Sequence, residues 1–125
     1  MIPPNLENKK ILVVEDDEMS YLYLSQLFTL TKGEIWRAKS GREAMEFYLS
    51  HTPFALILMD IQLPDGDGTD LTRTIRKHDK HIPIIAQTAG KSAADIENAL
   101  DAGCSRVLTK PFSMEEFFDA IAFFL

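Results

Sequence analysis

Short apolar runs alternate with longer amphipathic stretches along this whole chain, and a parallel sheet wrapped by helices is the architecture that satisfies such alternation. Ile11-Leu12-Val13-Val14 is a continuous aliphatic run, as expected of a strand covered on both faces. It stops abruptly at Glu15-Asp16-Asp17-Glu18. A helix follows with Tyr21, Leu24, Leu27 and Phe28 at helical spacing, and Gly33 lies just beyond its expected end. Residues 34–38 read as a second, weaker strand. Ser40 and Glu43 form a capping-box pattern for the next helix, with Ala44, Phe47 and Tyr48 inward.

Residues 54–59 make a third strand that runs straight into Asp60, and Pro64-Asp65-Gly66-Asp67-Gly68 is turn chemistry. A helix from about 69 to 78 leads through Pro83 into the strand Ile84-Ile85-Ala86-Gln87. Ser92 with Asp95 caps a fourth helix, which Gly103 should close. Residues 106–109 are a short fifth strand, and Ser113 with Glu116 caps a last helix. The chain stops inside that helix's apolar face, at Phe123-Phe124-Leu125, which points to a domain cut from a longer protein such as a hybrid kinase. Five βα units in this length make an α/β fold with an open, doubly wound sheet.

The net charge of -6 argues against non-specific binding to nucleic acid or to anionic membrane. Cys104 is the single cysteine, so no internal disulfide is possible and a cytoplasmic location is expected. Residues 1–10 lack the apolar core of a signal peptide, and the apolar runs are too short to span a bilayer.

In open parallel sheets, ligands bind outside the carboxyl ends of the strands, where strand order reverses. Here the first strand ends in Glu15 and Asp16, the third in Asp60, the fourth near Thr88 and the fifth at Lys110. Three carboxylates, one hydroxyl and one amine therefore meet on one edge. Converging carboxylates raise each other's pKa unless a cation sits among them. An all-oxygen set with few protein ligands suits Mg²⁺, which keeps several waters and shares its shell with phosphate. A single lysine nearby serves phosphate as a point charge. The group reads as a carboxylate nucleophile, a metal clamp and a neutralising lysine, the parts phosphoryl transfer needs.

With those residues in view, the chain resembles the receiver domain of two-component response regulators from about Lys9 onward. The matching segments are Ile11-Leu12-Val13-Val14-Glu15-Asp16-Asp17, Leu58-Met59-Asp60-Ile61-Gln62-Leu63-Pro64, Thr88-Ala89 and Leu108-Thr109-Lys110-Pro111-Phe112. The resemblance implies one receiver domain over 9–125, with 1–8 as an extension or linker, and a flavodoxin-like strand order 2-1-3-4-5. It makes Asp60 the phospho-acceptor, Asp16 a direct Mg²⁺ ligand, Glu15 a ligand through water and the Gln62 carbonyl the last protein ligand. Lys110 would meet the phosphoryl oxygens, and the Lys110–Pro111 peptide would be cis. Thr88 would swing to hydrogen-bond the phosphoryl group, while Gln62 and Gly90 would tune its lifetime beside Ala89. Val107 departs from the pattern: many members carry an aromatic there that rotates with the threonine, and valine has no such rotameric switch.

The implied partners are a histidine kinase or a histidine phosphotransfer domain, with phosphorylation biasing Thr88, the loop to Lys91 and the fourth helix. A homodimer or output surface would use the fourth helix, fifth strand and last helix, where the aromatic set 112, 117, 118, 123 and 124 exceeds what one inward face needs. A phosphate-independent interaction module and a small phosphatase on the same topology stand as alternatives. Asp65-Gly66-Asp67-Gly68-Thr69 imitates a phosphatase nucleophile motif and a calcium loop. It does not sit on a strand end, however, and its glycine offset is wrong for calcium, so it reads as a polar loop feeding a helix. His51, His78 and His81 read as surface residues, and Cys104 as a packing residue.

Overall fold

A computed structural model describes residues 2–51, 53–90 and 92–125. Its central sheet holds β1 (Lys10–Val14), β2 (Glu34–Ala38), β3 (Leu56–Asp60), β4 (Ile84–Thr88) and β5 (Arg106–Thr109). All neighbours are parallel, in the order β2-β1-β3-β4-β5. Five helices alternate with them: α1 (Glu18–Thr29), α2 (Gly41–His51), α3 (Gly68–His78), α4 (Ala93–Ala102) and α5 (Met114–Phe124). This is the doubly wound sheet expected from the alternation of runs, in the flavodoxin-like strand order that the resemblance implied.

The period of two along each strand divides the core into two layers. Ile11, Val13, Leu56, Leu58, Ile85 and Leu108 pack with α1 and α5 through Leu24, Phe28, Phe117 and Ile121. Leu12, Val14, Ile57, Met59, Ile84 and Ala86 face the other way, against Ala44, Tyr48, Ile75 and Ala99 of α2, α3 and α4. Both layers are buried, so the central strands are apolar on both faces, as their sequences required. Leu6 lies in the segment expected to be an extension, yet it is 1% exposed and belongs to the first layer. Its backbone N–H donates to the Thr31 carbonyl.

Several local expectations shift by small, explicable amounts. The third strand begins at Leu56 rather than Phe54, although Phe54 is buried. α1 ends at Thr29, and the residue with left-handed backbone there is Lys32 (φ 65) rather than Gly33. Gly33 instead leaves space for Ile11, whose Cδ1 would lie 2.7 Å from an added Cβ. Ser40 accepts the Glu43 N–H, but the Glu43 carboxylate reaches back to the Lys39 N–H, not to that of Ser40. The caps at Ser92, Gly103 (φ 116) and Ser113–Glu116 form as their sequences predict.

Candidate functional site

The strand ends assemble the site by parity. Residues 11, 13 and 15 of the first strand and its exit point to the α1/α5 side, as do 56, 58 and 60, then 85 and 87, then 108 and 110. Glu15, Asp60, Gln87 and Lys110 thus converge from four adjacent strands. Glu15 and Asp60 are buried, whereas Asp16, one step along the exit loop, is exposed. One carboxylate oxygen each from Glu15, Asp16 and Asp60 lies within 4.8 Å of the others.

Each buried carboxylate is tethered. Glu15 Oε1 accepts from Lys110 Nζ and from Gln87 Nε2, both at 3.1 Å, and its Oε2 accepts from the Asp17 N–H at 3.2 Å. Asp60 Oδ1 accepts from the Gln62 N–H at 3.0 Å, and Lys110 Nζ stands 3.6 Å from Oδ2. A single ammonium therefore bridges two acids. It does not offset their crowding: burial, then hydrogen bonding to Glu15 and its charge, push the Asp60 carboxyl up to about 7. Lys110 and the Gln62 N–H oppose the shift without cancelling it. A hard divalent cation fits this donor set, because it would relieve a concentration of oxygen charge that one lysine leaves in place.

The remaining expected residues fall around this cluster. Thr88 has the opposite parity and points to the α3/α4 side, where its hydroxyl accepts from the Gly90 N–H at 3.0 Å. The groove there, about 670 Å³, is lined by Gln62, Asp67, Arg73, Thr88, Gly90 and Asp95 among others. Ala89 is exposed and Lys91 lies outside the described residues. Val107, paired with Ala86 across the sheet, is half-buried against the second core layer. The Lys110–Pro111 peptide is cis. Its Pro111 and Phe112 join Met19, Tyr23 and Leu24 in a mostly apolar groove of about 660 Å³ that reaches Gln87 and Lys110.

Residues 65–69 are a junction between elements. Gln62–Leu63 and Gly66–Asp67 form a short hairpin. Asp65 accepts from the Gly41 and Arg42 N–H groups at 2.8 and 3.0 Å, capping α2 from across the loop. Those bonds hold its carboxyl below the usual range. Asp67 caps α3 through the Thr69 N–H. Cys104 is buried, 3.7 Å from the Thr72 hydroxyl, and burial pushes its thiol up. All three histidines are exposed, and Glu15, Asp16 and Asp60 are the one metal-capable group among the described residues.

Two contributors escaped the sequence reading. Gln87 carried a usable signal, since it is the fourth-strand residue sharing parity with Asp60, and it pairs with Asp60 in register. Arg37 carried none, because its contacts are with a loop distant in sequence.

Comparison with known proteins bears on this geometry. The family model for the response regulator receiver domain matches residues 11–122. The polar-differentiation response regulator DivK of Brucella anthropi is 35% identical over 119 residues, covering 94% of this chain and 96% of the relative. The non-phosphorylated HemR receiver domain from Leptospira biflexa superposes with a TM-score of 0.84 at 32% identity, covering 94% of each chain. A two-component response regulator from Clostridium difficile gives a TM-score of 0.87 at 28% identity, covering 94% of this chain and 95% of that one.

Proposed function

Because this chain belongs to the response regulator receiver family, we propose that it is a phosphoacceptor switch in which Asp60 accepts a phosphoryl group from a phosphohistidine. The donor is a histidine kinase or a histidine phosphotransfer domain, and Asp16, Asp60, the Gln62 carbonyl and, through water, Glu15 would hold Mg²⁺. The observation that carries the reading is a buried Asp60 sharing one oxygen cluster with two more carboxylates and 3.6 Å from a lysine.

In the transfer, an Asp60 oxygen bonds to phosphorus as the P–N bond breaks, the bonding pair stays on the imidazole nitrogen, and the donor's ring takes a proton from solvent to leave neutral. Attack requires the ionised carboxylate, which burial beside Glu15 disfavours. When bound, Mg²⁺ supplies charge that keeps Asp60 ionised and neutralises the phosphoryl oxygens. Lys110 shares in that neutralisation as a mobile point charge. Thr88 exchanges the Gly90 N–H for a phosphoryl oxygen, to which its hydroxyl donates, and Gln62, Ala89 and Gly90 control how water reaches the acyl phosphate. Hydrolysis resets Asp60. The chain thus modifies its own side chain and is not an enzyme with an independent substrate.

The phosphodonor approaches over the apolar groove of Met19, Tyr23, Pro111 and Phe112, which opens onto Lys110. Phosphorylation is read on the face of α4, β5 and α5, where Leu100 and Phe123 are exposed, by an output partner or a second copy. With Val107 in place of an aromatic, the Thr88 movement passes to α4 without a large side-chain rotation. The same reading treats 9–125 as one receiver unit, working in the cytoplasm. Incubation with acetyl phosphate and Mg²⁺, followed by intact mass, tests it. A phosphate-sized gain that Asp60→Asn abolishes supports the switch; no gain from small donor or kinase would favour an interaction module, and turnover of a foreign phosphoester an enzyme.

A further inference from the structure

Arg37 lies on β2, the edge strand, and has no part in the chemistry above. Its side chain is 14% exposed and reaches the loop between β1 and α1. Nε donates to the Glu15 carbonyl at 3.2 Å and Nη2 to the Asp16 carbonyl at 3.4 Å. Nη1 and Nη2 fork onto the Glu18 carboxylate at 3.2 and 3.0 Å, and the guanidinium lies 4.1 Å from the Tyr21 ring centroid. One rigid, planar donor set thus spans the acidic loop and the first turn of α1.

The three clustered carboxylates differ in how they are held. Glu15 and Asp60 are buried and bonded through their side chains. Asp16 is exposed, and among the described residues no side-chain hydrogen bond holds its carboxylate, so its place depends on its backbone. We infer that Arg37 is a positioning residue for the metal-binding carboxylates: by holding the Glu15 and Asp16 carbonyls it fixes the backbone from which both side chains project. Glu18 balances the Arg37 charge, so the clamp adds little repulsion toward an incoming cation. The inference rests on the Mg²⁺ reading given above.

Isothermal titration of Mg²⁺ into the whole chain, with the metal-free melting temperature of each variant, tests it. Arg37→Gln is expected to weaken Mg²⁺ binding about tenfold, within the range for residues that orient metal ligands. Arg37→Lys keeps the charge but loses the fork, and is expected to weaken binding about threefold or more at a near wild-type melting temperature. Glu18→Gln leaves both carbonyl contacts and is expected to change affinity less than about twofold. Wild-type affinity in Arg37→Lys overturns the positioning role, and that variant decides the matter if Arg37→Gln fails to fold. A wild-type chain that binds no Mg²⁺ overturns the metal reading along with it.

Discussion

A carboxyl group buried beside another carboxyl group resists ionisation, and Asp60 is raised to about 7 from an ordinary value of 3.8. Its folded pKa therefore lies above its unfolded one. The stability it contributes is fully present below 3.8 and is lost as pH rises through about 7. At pH 8 without divalent cations the charged Asp60 is a penalty on the fold. Asp60→Asn is expected to raise the melting temperature there by about 4 °C, roughly 1 kcal/mol, with little gain near pH 4; calorimetry in chelator at both pH values checks this. Lys110→Met removes the ammonium shared by Glu15 and Asp60. It is expected to slow Mg²⁺-dependent phosphorylation about 100-fold, followed as mass gain against time. Glu15, Asp16, Asp60, Thr88 and Lys110 were legible in the sequence because each lies within two residues of the end of an apolar run. Gln87 had only strand alternation to mark it, as the next position on the same face after Ile85. Arg37 was not legible at all, since its partners depend on β2 lying beside β1.

At the scale of elements, the ends of the strands are positioned by helix starts packed against them. Gly68 opens α3 so close to β3 that an added Cβ would sit 2.3 Å from the Asp60 carbonyl oxygen and 2.9 Å from the Ile61 Cα. Backbone on both sides leaves no flexible tip to yield. Gly68→Ala is expected to destabilise the fold by about 2–3 kcal/mol, measured by denaturant unfolding, and to slow Asp60 phosphorylation in the folded fraction. The loop 64–68 was readable as a turn from its Pro, Asp and Gly content. That Asp65 would cap α2 was not, because the acceptor and its donors are separated by a whole helix and strand. The cap motifs at Ser92 and Ser113 were readable because both partners lie within one turn. Gly33 misled for a related reason: its composition marks a helix end, but tertiary packing against Ile11 uses its missing side chain instead.

Across the whole molecule, the sheet separates two tasks. Asp60, Glu15 and Lys110 face the α1/α5 layer, while Thr88 and Val107 face the α2–α4 layer. On the proposed reading, a phosphoryl group on Asp60 would be felt at the carboxyl edge, where adjacent strand ends bring the two sides together, and Thr88 would carry the event across. The fold was legible because apolar runs at 11–14, 54–59 and 84–86 mark three strands buried on both faces, with 34–38 and 106–109 as weaker flanking strands, and the strand order followed from the family resemblance. Everything rests on which side chain receives the phosphoryl group. Borohydride reduction of the chain after exposure to acetyl phosphate and Mg²⁺, with peptide mass mapping, reads that directly. The account predicts conversion of residue 60 to homoserine, dependent on Mg²⁺; conversion at another aspartate, or at none while phosphate is incorporated, would contradict it.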